Sequence, residues 1–301
     1  MSSDPEAACW APPAAHTDAA YGAWPAPSLR PPSGLTSWPP PVVLNVPATR
    51  RGALWSTPVI ASLVLCGLLV ALEIVVGFIL QPASVFLAML PLLAVGAIVL
   101  WLGRFCGLQK IEWLWLFLFG SVIAAGAAGI LNVLAIYLVL HCEGVVAVVV
   151  APVVEESLKL LGVALLLRAL RRGGVLRLVS AGCAVAVGFA FTENVGYFAA
   201  ESDLFSMFVS RAVASPFAHP LFTGVSCVGL ALYHKTGKTS RLALFAGLSV
   251  LGHASWNFFA VYNNGEFMGR YFLYVAVPAF ATFAGALVRL RAQAKKDHAS
   301  Q

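Results

Sequence analysis

Residues 145–167 read VVAVVVAPVVEESLKLLGVALLL, an apolar run that contains two adjacent glutamates and one lysine. Its length matches the roughly 20 apolar residues that a helix needs to cross a bilayer. Ionisable side chains are costly inside a bilayer, and the few that occur there usually serve a function. The run therefore predicts a membrane-spanning helix that carries part of a functional site.

Similar apolar runs fill most of the remaining chain. Hydrophobic residues make up 60% of the 301 residues and charged residues 11%, whereas a soluble domain carries roughly twice that charged fraction. The mean hydropathy is +0.85. We predict an all-α, polytopic transmembrane helix bundle of about eight helices. The predicted spans are 57–80, 83–102, 113–140, 145–167, 175–199, 211–232, 241–263 and 271–289.

The two ends of the chain differ in composition from these spans. Residues 1–56 contain 11 of the 18 prolines, and a segment with so little apolar content cannot bury a core. We therefore predict a Pro-rich, disordered cytoplasmic tail over residues 1–56. Residues 57–291 are predicted to form the transmembrane domain, and residues 292–301 a short basic cytoplasmic tail.

Basic residues are concentrated in every second loop, which the positive-inside rule assigns to the cytoplasm. Both termini are therefore predicted to be cytoplasmic. The formal net charge of +6 lies in short loops rather than on an exposed basic domain, so no nucleic-acid partner is expected. The basic positions are Arg50, Arg51, Arg104, Lys110, Arg168, Arg171, Arg172, Arg177, His234, Lys235, Lys238, Arg241, Arg289, Arg291, Lys295 and Lys296.

Glu155, Glu156 and Lys159 lie within one turn of the fourth span, so their side chains share one side of the helix. The lysine can keep one carboxylate ionised. The other carboxyl group is then expected to hold a proton, since two adjacent like charges do not easily coexist in a low dielectric. Such a pair is suited to general acid–base chemistry. The alternative is a buried Glu–Lys pair that only joins helices.

Three further spans carry polar residues at membrane depth. Glu193 lies near the outer end of the fifth span, prolines flank His219 in the sixth, and His253 and Asn257 are four residues apart in the seventh. Each of these residues could instead have a purely structural role, such as snorkelling to the interface or hydrogen bonding between helices. At about 1.5 Å per residue, however, these residues and Glu155 reach a similar depth in the outer half of the bilayer. We predict that they surround one water-accessible cavity.

Four motifs in this order resemble the PrsW family of intramembrane proteases, over about residues 120–265. They are EESLK at 155–159, FAFTEN at 189–194, HPLFTG at 219–224 and HASWN at 253–257. The family is similar in pattern to the group of CAAX prenyl endopeptidases and bacteriocin-processing proteins. The resemblance implies an intramembrane endopeptidase that hydrolyses a membrane-anchored protein or peptide with a water molecule activated by glutamate. It also implies the plasma (inner) membrane of a prokaryote.

The resemblance further implies residue roles. Catalytic roles fall to Glu155 and Glu156 as the base and its partner and to Asn257 as an oxyanion donor. Metal-binding roles fall to His219, His253 and Glu193, and supporting roles to Lys159 and Asn194. Two histidines and a carboxylate suit one divalent metal, zinc above all. A metal-free glutamate mechanism needs the same residues, and the H-E-x-x-H signature of common zinc proteases is absent.

Two other functions are compatible with the residues alone. Glutamates and histidines in membrane helices also form proton relays in ion-coupled transporters, although a relay predicts carboxylates along a path to both faces. A non-catalytic scaffold or sensor is the other alternative.

Overall fold

The structure is a computed structural model that describes residues 57–80, 82–106, 108–140, 142–166, 174–200, 208, 215–262, 281, 285, 288, 289 and 292. Every regular element in these residues is a helix, which confirms the predicted all-α fold. Most of the predicted eighth span lies outside the described residues, as do both predicted tails except for residue 292. The tails and the domain boundaries therefore stay predictions.

Seven helices lie in the described residues between 57 and 262, and they match the first seven predicted spans to within four residues at either end. Three of them are long and apolar enough to cross a membrane by length and composition: Lys110–Leu138, Gly174–Ala200 and Thr239–Ala260. The seven are α1 (Thr57–Leu80), α2 (Pro82–Phe105), α3 (110–140), α4 (143–165), α5 (Gly174–Ala200), α6 (Ser215–Thr236) and α7 (Thr239–Tyr262).

Helices α3 and α4 contain π turns, which the hydrophobic pattern did not predict. They occur at Phe119–Ala124 and Ala135–Leu140 in α3 and at Val146–Val150 in α4. A π turn accommodates an extra residue without a change in apolar content, so it leaves no mark on a hydropathy profile. The first π turn lies against α5, where the Ser121 and Thr192 hydroxyl oxygens are 2.8 Å apart.

Helix α5 is the centre of the bundle. In its most apolar 18-residue window 83% of the residues are buried, against 17% for the corresponding window of α7. The segment AGCAVAVGFA at 181–190 supplies mainly small side chains. Small residues let membrane helices approach closely, and close packing drives helix association in lipid. Helix α5 accordingly contacts α2, α3, α4 and α6.

The closest approach of α3 to α5 depends on two glycines. A Cβ atom on Gly120 would collide with the carbonyl group of Val185, and one on Gly188 would collide with the carbonyl group of Phe117. Any side chain larger than hydrogen would therefore push the two helices apart. This contact fixes the position of α5, and with it Phe189 and Glu193, which belong to the candidate site.

A buried ion pair joins the first turns of α3 and α5. The Arg177 guanidinium nitrogen Nη2 lies 2.6 Å from Glu112 Oε1 and 2.7 Å from Oε2. Glu112 also accepts a hydrogen bond from the Gln109 backbone N–H at 2.9 Å. Arg177 was counted as a loop cation, but it is a buried residue of α5 whose charge Glu112 neutralises. The topology argument for that loop therefore rests on its other arginines.

The glycine contact gives a stability prediction within one helix. Gly120→Ala should destabilise the protein by about 1–3 kcal/mol, because the methyl group forces α3 away from α5. Gly126 is the matched control, since a Cβ atom there meets nothing within 4 Å. Gly126→Ala should stabilise α3 by about 0.5–1 kcal/mol through its higher helix propensity. Thermal unfolding in detergent measures both changes, and equal effects would contradict the packing argument.

Candidate functional site

The site is built on α4, where Glu155, Glu156 and Lys159 are all buried. The Lys159 ammonium nitrogen lies 2.9 Å from Glu156 Oε1 and 3.5 Å from Glu155 Oε2. The same nitrogen lies 3.9 Å from the centre of the Phe189 ring on α5. A cation between two carboxylates and over an aromatic face is stabilised by all three groups. The predicted cluster on the fourth span is therefore formed.

Glu156 is held by donors from three helices. Its Oε1 lies 2.9 Å from Lys159 Nζ and 3.0 Å from His253 Nδ1. Its Oε2 lies 2.9 Å from the Thr223 hydroxyl and 3.1 Å from the Ser249 hydroxyl. An ionised carboxylate offers about four acceptor positions, and each faces one of these groups, although the Ser249 hydroxyl has a second acceptor at 2.7 Å. Glu156 thus has little capacity left for a water molecule or substrate.

Glu155 is held more loosely than its neighbour. Its Oε2 lies 3.5 Å from Lys159 Nζ and 3.7 Å from His253 Nε2. Both distances exceed those of well-formed charge-assisted hydrogen bonds, which are about 2.7–2.9 Å. Glu155 therefore retains acceptor capacity in the middle of a buried cluster.

His219 on α6 bridges Lys159 and Glu193. Lys159 Nζ lies 3.1 Å from His219 Nδ1, and an ammonium group can only donate, so Nδ1 accepts. In a neutral imidazole the proton is then on Nε2, which lies 2.8 Å from Glu193 Oε2. The Glu193 side chain is 20% exposed, against 7% for Glu155 and 2% for Glu156. Glu193 is therefore the most accessible of these three carboxylates.

His253 on α7 has the opposite tautomer. Its Nδ1 lies 3.0 Å from Glu156 Oε1, and because an ionised carboxylate can only accept a hydrogen bond, Nδ1 carries the proton. The Nε2 lone pair is then on the side of Glu155, 3.7 Å from its Oε2. The ring stacks on Phe222 with centroids 5.4 Å apart and meets His219 edge-on at 5.2 Å. These two rings restrict its orientation.

Three of these residues have the geometry of a metal site. Ligand atoms of Glu155, His219 and His253 lie within 4.8 Å of one another. The resemblance had implied Glu193 as the third ligand beside both histidines. Glu193 Oε2 lies 2.8 Å from His219 Nε2 and Glu193 is not one of these three residues, so its metal-binding role stays a prediction. The two imidazoles and one carboxylate fit zinc by donor type.

The two asparagines lie apart from the hydrogen bonds of the cluster. The Asn257 amide nitrogen donates to the carbonyl oxygen of Ala147, in the π turn of α4, at 2.8 Å. Asn194 is fully buried, and in the described part of the chain its amide nitrogen and oxygen both lack a hydrogen-bond partner. The oxyanion role of Asn257 and the supporting role of Asn194 stay predictions.

Sequence reasoning missed Thr223 and Ser249, which both contact Glu156. Each is one helical turn from a histidine of the site: Thr223 follows His219 by four residues, and Ser249 precedes His253 by four. Residues at this spacing share a helix face. The same spacing rule that grouped His253 with Asn257 could have found both hydroxyls.

A large cavity in the described part of the chain lies elsewhere. It has a volume of about 400 Å³, and its lining includes apolar residues of α1, α2 and α3 together with Val187 and Phe191 of α5. Positions two residues apart on a helix point in nearly opposite directions, so Phe189 and Glu193 face away from it. Helix α5 therefore separates this apolar cavity from the polar cluster.

A comparison with protein families places the site in a known family. Residues 110–283 match the model of the PrsW family, described as intramembrane metalloproteases. The matched region begins with α3 and contains all residues of the polar cluster. No curated protein and no solved structure matches the chain.

The central lysine gives a prediction about stability. Lys159→Met should destabilise the protein by about 3–5 kcal/mol, because two buried glutamates lose their shared cation. Lys235→Met is the matched control, since Lys235 is an exposed lysine of α6 and its loss should change stability by less than about 0.5 kcal/mol. Thermal unfolding in detergent compares them. Equal melting temperatures would show that Lys159 does not hold the cluster together.

Proposed function

The chain belongs to the PrsW family of intramembrane metalloproteases, and from this premise we propose that it hydrolyses a membrane-anchored protein or peptide with a water molecule activated by Glu155. The observation that carries the proposal is the contrast between the two glutamates. Glu156 is filled by hydrogen-bond donors, whereas Glu155 keeps acceptor capacity beside both histidines. The family match favours this function over the carrier and scaffold alternatives.

In the proposed reaction Glu155 is the general base. It accepts a proton from water while the water oxygen attacks the carbonyl carbon of the scissile peptide bond. The C–N bond then breaks, and the leaving nitrogen takes the proton from Glu155. The products are one fragment with a new carboxyl group and one with a new amino group.

The neighbouring residues have supporting roles in this reaction. Lys159 neutralises the charge of Glu156. Glu155 can therefore ionise without repulsion from an uncompensated carboxylate beside it. Asn257 uses one amide hydrogen on Ala147 and has a second available, and we propose that this one stabilises the developing oxyanion. We propose that Glu193 orients His219 through the contact at Nε2.

We propose that the site can hold one divalent metal, zinc above all, through Glu155, His219 and His253. When bound, the metal would act as a Lewis acid on the water. His219 would have to exchange its contact with Lys159 for the metal, because Nδ1 is engaged by the ammonium and Nε2 by Glu193. Glu155 has two carboxylate oxygens, so ligation through one leaves the other to accept a proton.

The protein is an integral membrane protein. We propose that it resides in the plasma membrane of a prokaryote with both termini in the cytoplasm, because the alternate loops carry the basic residues. In this orientation Glu193, His219 and His253 lie in the outer halves of their helices, and Glu155 lies near the middle of α4. The substrate would then be cut between the centre of the bilayer and its outer surface.

The test of the function is Glu155→Gln, which preserves shape and removes the proton acceptor. A fragment present in the membrane proteome of cells with the wild-type protein should disappear with this variant. Glu143→Gln is the matched control, since Glu143 is an exposed glutamate of the same helix and should leave cleavage intact. An unchanged fragment with Glu155→Gln at equal expression would refute the proposed base.

Metal content tests the choice between the two possible third ligands. The purified wild-type protein should contain about one zinc ion per chain by mass spectrometry of the metal, as in a mononuclear catalytic site. Glu155→Gln should reduce the zinc content to background because a ligand is lost, whereas Glu193→Gln should bind zinc with an affinity lowered only about 10-fold, since Glu193 acts on His219 as an outer partner. The reverse order would restore Glu193 as the ligand.

A further inference from the structure

We propose that Thr223 is a positioning residue that acts through Glu156 to keep the ring proton of His253 on Nδ1. The kinetic part of this inference rests on the proposed function, whereas the position of the proton does not. Thr223 is fully buried on α6, one turn beyond His219. Its side chain touches neither Glu155 nor His253 in the described contacts, so its effect must pass through Glu156.

Thr223 is the hydroxyl donor that is committed to Glu156. Its Oγ1 donates to Oε2 at 2.9 Å. Ser249 also approaches Oε2, at 3.1 Å, but its hydroxyl lies closer to the Phe222 carbonyl oxygen, at 2.7 Å. A hydroxyl group has one proton to donate, so Ser249 divides it between two acceptors. The orientation of the Oε2 side of the carboxylate therefore depends chiefly on Thr223.

The other oxygen of Glu156 sets the state of His253. Oε1 accepts from Lys159 at 2.9 Å and from His253 Nδ1 at 3.0 Å. As long as the carboxylate is held in this orientation, the proton of a neutral His253 is on Nδ1 and the lone pair on Nε2 faces Glu155. A carboxylate that fixes a histidine tautomer in this way raises the basicity of the ring and orients it for a ligand or water.

Without the Thr223 donor this arrangement loses one of its supports. The Glu156 carboxylate would gain freedom to rotate about its own bond, because only the divided Ser249 hydroxyl would remain on Oε2. Oε1 would then leave its alignment with Nδ1, and the Nε2-protonated tautomer of His253 would become accessible. That tautomer presents a hydrogen toward Glu155 in place of a lone pair.

Three variants separate this effect from a general packing effect. Thr223→Val keeps the volume and removes the donor, and Thr223→Ser keeps the donor and removes a methyl group. Ser226→Ala is the matched control, because Ser226 is a buried hydroxyl of the same helix that donates to the Thr223 carbonyl oxygen at 2.8 Å. If Thr223→Val fails to accumulate in the membrane, Thr223→Cys, with its weak S–H donor, takes its place.

The readout is the nitrogen NMR spectrum of ¹⁵N-histidine-labelled full-length protein freed of metal with a chelator, since a metal on Nε2 would itself fix the ring proton on Nδ1. The His253 signals are those missing from His253→Gln. The wild type, Thr223→Ser and Ser226→Ala should all show the proton on Nδ1. Thr223→Val should show a loss of this form. A wild-type proton on Nε2, or a spectrum that Thr223→Val leaves unchanged, overturns the inference.

Kinetics supply a second measurement on a cleavable substrate. Thr223→Val should lower kcat by about 10- to 100-fold, as loss of an outer-shell partner commonly does, with KM unchanged because Thr223 is buried behind Glu156. Thr223→Ser should restore most of the rate. If neither the wild type nor any variant cleaves a peptide, the proposed function fails. The NMR result still decides the role of Thr223 in that case. An equal loss of kcat in Ser226→Ala would reduce Thr223 to a packing role.

Discussion

A lysine ammonium buried among acceptors from its own and neighbouring helices is the interaction on which the rest of this structure depends. Lys159 has no exposed surface, and transfer of an unpaired ammonium from water to such a place costs several kcal/mol. Two glutamates and a histidine nitrogen compensate for that cost, and they come from α4 and α6. Because Glu156 then needs further donors, α6 and α7 must also lie against α4. The charge therefore constrains how three helices meet.

Helix α5 gives this arrangement a fixed support. Its glycine and alanine residues allow α3 to approach until backbone meets backbone, and on another side it supplies Phe189 beneath the lysine and Glu193 beside His219. Shape-determined packing is the main source of specificity between helices in lipid, where apolar burial discriminates little. The polar cluster therefore fixes how α4, α6 and α7 meet, and close backbone packing joins this group to α3 through α5.

The helices and most of the site were predictable from the sequence because both leave periodic signals. Apolar runs set the spans, and the spacing of Glu155 with Lys159 set the side that faces the cluster. The π turns were not predictable, because they change the rotation of a helix and not its composition. The ion pair of Glu112 with Arg177 was not predicted for two other reasons. Arg177 was grouped with the loop cations although it lies at the start of the fifth span, and Glu112 precedes the predicted third span, whereas the helix begins at Lys110.

The π turn of α4 also bears on how this chain can change in evolution. A π turn is one residue more than an α-helix needs, and here the Ala147 carbonyl oxygen receives its extra partner from the Asn257 side chain. Loss of one residue from 146–150 would rewind the segment and turn its outer end by about 100° relative to Glu155. Asn257 would then face a different backbone group. The number of residues in this short segment and the backbone group that Asn257 reaches are therefore coupled, so an insertion or deletion there would alter the site without changing any of its side chains.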